Sequence, residues 1–118
     1  MDAIQLKLFI DSLTKGNTRK ASDILDTVTL ATEHEKGYKR ALSGILSSVE
    51  NEEASSLFFQ MVSGALTKKR MEEHRKQSRK MAKDVFRPAS ERGYEKAWYD
   101  ILSIFLGKKK VGLDKHVT

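Results

Sequence analysis

Apolar residues in this chain recur at three- and four-residue steps almost from end to end, a spacing that fits α-helices and no other regular structure. Ile4, Leu8, Ile10 and Leu13 form a first stripe, with Asp2 as a candidate N-cap and Gly16-Asn17 as its stop. Asn17 or Thr18 caps a second stripe running through Ala21, Ile24, Leu25, Val28 and Ala31. Gly37 reads as a joint before Tyr38, Ala41, Leu42, Ile45, Leu46 and Val49, and Ala54, Leu57, Phe58, Met61 and Ala65 follow Glu50-Asn51. Beyond Leu66 the stripe thins to Met71, Ser78, Met81 or Ala82, and Val85 amid charge, with no Pro or Gly until Pro88, whose ring clashes with the preceding turn. A helix running unbroken from 52 to 86 would be about 52 Å long, so a break is expected near Gly64–Thr67. Ser90 is the candidate cap of the last helix, whose face carries Tyr94, Ala97, Trp98, Ile101, Leu102 and Phe105 before Gly107.

The expected fold is all-α, five or six helices packed as antiparallel hairpins, with a long charged helix before Pro88. Residues 1–107 form one helical domain and 108–118 a basic C-terminal tail. With no cysteine the chain has no disulfide framework and lacks the commonest structural zinc ligand, so packing must stabilise it. No stretch approaches the roughly 20 apolar residues of a membrane span, and Met1–Lys7 lacks the uninterrupted apolar run of a signal peptide. A soluble, cytoplasmic protein is expected. Many Lys, Arg and Glu with few amides suit a thermophile.

Residues 35–47 (EKGYKRALSGILS) return at 91–103 as ERGYEKAWYDILS, identical at seven of thirteen positions, with a fainter copy at 16–25. A small Ala shortly after the start lets a neighbouring helix approach, and the Ile-Leu pair one turn later fills the groove. The order Gly, Tyr, charge, charge, Ala resembles the second helices of tetratricopeptide-like repeats, over about half the chain. The strong copies lie 56 residues apart, where that family keeps a period of about 34, and the family's Trp-Leu-Gly-Tyr pattern is missing. The resemblance implies packed helical hairpins and a protein-binding surface.

Catalytic groupings are missing from the sequence. The three histidines, His34, His74 and His116, never fall at the i, i+4 spacing of a zinc-binding helix, and read as solvated. Arg70 and His74 keep a shorter gap than the Arg-to-His pair of some helical ribonucleases and read as surface residues. Asp23/Asp26, Glu52/Glu53 and Glu72/Glu73 are explained by helix-end charge and ion pairs such as Glu72 with Lys76. There is neither a phosphate-binding glycine loop nor a nucleophile elbow, so no enzyme, cofactor or metal is expected. Tyr94, Trp98 and Phe105 read as core, while Tyr99 and Asp100 lie off their stripe, which makes Tyr99 the candidate exposed contact.

Charge is the informative signal. The net +6 is uneven: residues 1–66 hold seven basic and nine acidic groups, and residues 67–118 hold fifteen and seven. Segment 67–83 alone has eight basic groups against two acidic ones, too few for internal pairing. The expected function is a non-catalytic binding module that takes nucleic acid, RNA ahead of DNA, through Lys68, Lys69, Arg75, Lys76, Arg79, Lys80 and Lys83, with Lys108, Lys109 and Lys110 in the tail. Arg75 and Arg79, four apart, are expected to grip successive phosphates. The alternative is a protein-interaction adaptor or a subunit of a larger complex, and a homodimer through Met71, Met81 and Val85 fits either.

Overall fold

A computed structural model describes residues 1–107, and six helices account for most of them: α1 (Ala3–Thr14), α2 (Thr18–Asp26), α3 (Glu33–Glu50), α4 (Leu57–Val62), α5 (Lys68–Ala82) and α6 (Ala89–Phe105). Five of the six begin on a side-chain cap. Asp2 makes a full capping box with Gln5, its Oδ1 accepting from the Gln5 amide at 2.8 Å while the Gln5 Oε1 accepts from the Asp2 amide at 3.2 Å. Asn17, Thr32, Ser56 and Thr67 cap the next four.

Several boundaries differ from the sequence expectation. The second helix stops at Asp26, short of Val28 and Ala31, and residues 27–32 connect it to α3 with Thr32 as the cap. The fourth covers only Leu57–Val62. The break in the charged segment falls where expected: Gly64 adopts φ +81°, which only glycine takes without strain, and Thr67 starts α5. Its C-terminal end does not reach Pro88. Helix α5 ends at Ala82, and a turn over 83–87 intervenes, in which Asp84 Oδ1 accepts from the Phe86 amide. Pro88 rather than Ser90 occupies the N-cap position of α6, and no side chain caps that end.

Gly37 is not a joint, and it shares its setting with Gly93. Each lies inside a helix, buried where α3 and α6 touch. A Cβ on Gly37 would fall inside the carbonyl of Ser90, and one on Gly93 inside that of His34. The order 34, 37 along α3 thus meets the order 93, 90 along α6, so the two helices cross in opposite senses at these points.

The shift of 56 that relates the sequence echo also relates the two crossing points, because 37 maps to 93 and 34 to 90. It relates helix boundaries as well: α2 and α5 end at Asp26 and Ala82, and α3 and α6 begin at Glu33 and Ala89. Once the helices are paired this way, Arg19-Lys20 and Ser22 of α2 match Arg75-Lys76 and Ser78 of α5. The chain therefore contains two α-hairpins of one design, facing each other across an approximate two-fold at the α3–α6 crossing.

Between the hairpins lies the core. Leu6, Phe9, Ile10 and Leu13 of α1, Leu25 of α2, Leu42, Ile45 and Leu46 of α3, and Ile101 and Leu102 of α6 are buried in one cluster. Phe58 of α4 meets Phe105 edge to face, ring centroids 6.0 Å apart, and closes the end of α6. Helix α5 contributes a single buried apolar residue, Met71, which is why its stripe is so thin in the sequence.

Candidate nucleic-acid interface

Helix α5 sits on α6 through Met71, Ser78 and Arg75, leaving most of its circumference in water. At about 100° per residue, Lys69, Lys76, Lys80 and Lys83 fall on the side opposite Met71 and Ser78. Lys69 and Lys83 are fourteen residues apart, about 21 Å along the axis. All four are exposed, as are Lys68, Arg70 and Arg79. Among the described residues, none of these seven cations has a carboxylate within ion-pair distance. Lys108, Lys109 and Lys110 lie outside the described residues, as does His116.

Arg75 departs from its expected role. Its Nε donates to Ser103 Oγ at 2.8 Å, its guanidinium nitrogens reach Glu72 at 3.0 Å and the Tyr99 hydroxyl at 3.1 Å, and its plane lies over the Tyr99 ring at 4.8 Å. These contacts tie α5 to α6 and leave the Arg75 side chain 17% exposed, whereas Arg79 is exposed. Glu72 goes to Arg75 at i+3, so the expected Glu72–Lys76 pair does not form and Lys76 stays free.

Tyr99 and Asp100 also differ from expectation. Both lie off the apolar stripe, yet Tyr99 is half-buried and Asp100 is 4% exposed. The reason is that α6 is covered on two sides, by α3 and by α5, and a helix covered twice buries more than one stripe. The Tyr38 hydroxyl donates to Asp100 Oδ2 at 2.8 Å, and Lys96 Nζ reaches Oδ1 at 2.9 Å. Burial, followed by the Asp100 charge and hydrogen bond, pushes the Tyr38 phenol far above its ordinary range, so it remains a donor at any physiological pH. Only the Lys96–Asp100 spacing of four hinted at this network in the sequence.

The cation row continues round the end of α5 into a cleft of about 400 Å³ between α3, α5 and α6. His34, Arg79, Ala82, Lys83, Lys96 and Tyr99 line it, and no carboxylate does. His34 is half-buried and His74 and Arg70 are exposed. Among the described residues, no three His, Asp or Glu side chains converge as metal ligands would. Of the apolar stripe Met71, Met81 and Val85, Met71 is buried in the core, Met81 is half-buried and Val85 is exposed.

The position of the cations within α5 is itself informative. Lys68, Lys69 and Arg70 occupy its first turn, which holds no acid, although the positive end of the helix dipole favours carboxylates there. Each unfavourably placed charge costs about 0.3–1 kcal/mol, and no carboxylate among the described residues pairs with it. Comparison with known protein families, curated proteins and solved structures found no match to this chain.

Proposed function

We propose that this protein is a non-catalytic nucleic-acid-binding module whose contact surface is the outer face of α5 and the cleft at its end. The observation that carries the reading is the set of seven exposed cations on and beside α5 with no carboxylate partner among the described residues. Free lysines along one helix face neutralise phosphates and release counterions, which supplies sequence-independent affinity. A cytoplasmic location fits that ligand, and no described helix is long and apolar enough to cross a membrane.

Binding of labelled RNA and DNA, read by fluorescence anisotropy across a salt series, tests the proposal. Affinity is expected to fall steeply with salt, with a slope of about −0.7 to −0.9 per phosphate contacted. Changing Lys76, Lys80 and Lys83 together to Glu should remove binding while leaving the helical circular-dichroism spectrum intact. If neither polymer binds at low salt, the reading fails and a protein-interaction adaptor takes its place.

A further inference from the structure

The turn between α5 and α6 carries the most exposed large apolar side chain among the described residues, Phe86, at 95% accessible, beside Val85 at 72%. An aromatic ring standing in water is unfavourable to the fold, and this one is held there. The Phe86 amide donates to Asp84 Oδ1 at 3.0 Å, and the Arg87 amide to the Asp84 carbonyl at 3.1 Å. Arg87 Nε is 3.4 Å from the Asp84 carboxylate, and Arg92 Nε donates to the Ala82 carbonyl at 3.3 Å. Three residues before Phe86 stands Lys83, which together with Arg79 lines the acid-free cleft.

The other hairpin serves as an internal control. The shift of 56 places Leu30 where Phe86 stands, and Asp23, Ile24 and Thr27 where Arg79, Lys80 and Lys83 stand. Leu30 is 44% exposed. The matching connection, residues 27–32, lacks the Asp84-centred turn, and its hairpin bears an aliphatic residue and an acid where the other bears an exposed aromatic and three free cations. The two features occur together.

From this we infer that Phe86 is a stacking platform for an unpaired base, and that the ligand of this surface is single-stranded nucleic acid. The inference rests on the reading proposed above and narrows it. Cations at Arg79, Lys80 and Lys83 hold the backbone while the ring takes a base face, the combination that single-strand binders use and that a duplex, whose bases are already stacked, does not satisfy. A protein partner fits less well, because docking an apolar surface on Phe86 would desolvate the unpaired charges around it.

Phe86→Ala, Phe86→Trp and the Lys76/Lys80/Lys83→Glu triple variant are compared with the parent on labelled oligouridine, oligothymidine and a duplex of equal length at one salt concentration. Phe86→Ala is expected to weaken single-strand binding about 5- to 100-fold, leave duplex binding within about twofold, and leave the thermal midpoint unchanged. Phe86→Trp should retain single-strand binding and show quenching of the new indole on saturation. Preference for oligouridine over oligothymidine assigns the ligand as RNA, and the reverse assigns it as DNA. Either preference supports the inference if Phe86→Ala reduces it. Unchanged single-strand affinity in Phe86→Ala overturns the inference, and leaves the cation reading standing if the triple variant still abolishes binding. Equal loss on the duplex overturns it too, as does a Phe86→Ala variant that merely stops self-association. No binding of the parent to any of the three polymers removes both readings together.

Discussion

Gly37, Gly44 and Gly93 are all helical glycines, yet they answer to different constraints. Gly37 and Gly93 permit two backbones to touch, whereas a Cβ on Gly44 meets nothing within 4 Å. Gly37→Ala and Gly93→Ala are each expected to cost about 3 kcal/mol or more, because backbone and not a flexible side-chain end must move. Gly44→Ala is expected to stabilise by about 0.5–1 kcal/mol through helix propensity, and urea midpoints of the three variants decide the matter. Glu95 makes a separate prediction. Its Oε2 is buried without a hydrogen-bond partner among the described residues, and burial raises its carboxyl above the usual range while Arg87 pulls it partly back. A carboxyl raised in the folded state favours the fold when protonated and loses that contribution as pH climbs through the raised value. Glu95→Gln should therefore be more stable than the parent at pH near 7, with the gap closing near pH 4. Equal gaps in urea titrations at the two pH values would count against this assignment.

Among the elements, α5 combines poor helix electrostatics with a thin apolar face, and both were visible in its residues. Its first-turn cations predict opposite effects on stability and binding. Lys68→Glu with Lys69→Glu is expected to raise the thermal midpoint, by about 0.3–1 kcal/mol per site, while weakening nucleic-acid binding. A variant that loses stability would show that these cations support the fold in a way the ion-pair geometry does not reveal. What the residues of α5 did not disclose was the fate of Arg75. Within the helix only Glu72, three residues before Arg75, sets it apart from Arg79. The rest of the difference comes from Tyr99 and Ser103 on α6, which bond Arg75 and not Arg79.

For the molecule as a whole, the facing hairpins mean that neither half owns a complete core. Leu42 and Ile45 of one and Ile101 and Leu102 of the other are buried in the same cluster. Unfolding is accordingly expected as one transition, with far-UV circular dichroism and Trp98 fluorescence giving coincident midpoints. Separate midpoints would mean that the hairpins are independently stable. The approximate two-fold is broken in its chemistry. Asp100 accepts from Tyr38, whereas the equivalent of Asp100 is Gly44, and Tyr94, the equivalent of Tyr38, instead lies under Arg40 at 5.1 Å. The hairpin that carries Asp100 also carries the free cations and Phe86.

Helix content, the position of the break at Gly64, the caps at Asp2 and Asn17, and the surplus of positive charge after residue 66 could all be read along the chain. Each depends on residues within about one turn of one another, and local backbone and charge preferences act over that distance. Which cations stand free, why Gly37 and Gly93 lack side chains, and how Asp100 comes to be buried depended on which helix crosses which. Those contacts join residues as far apart as Tyr38 and Asp100, a distance over which the order of amino acids carries no geometric information until the helices have packed.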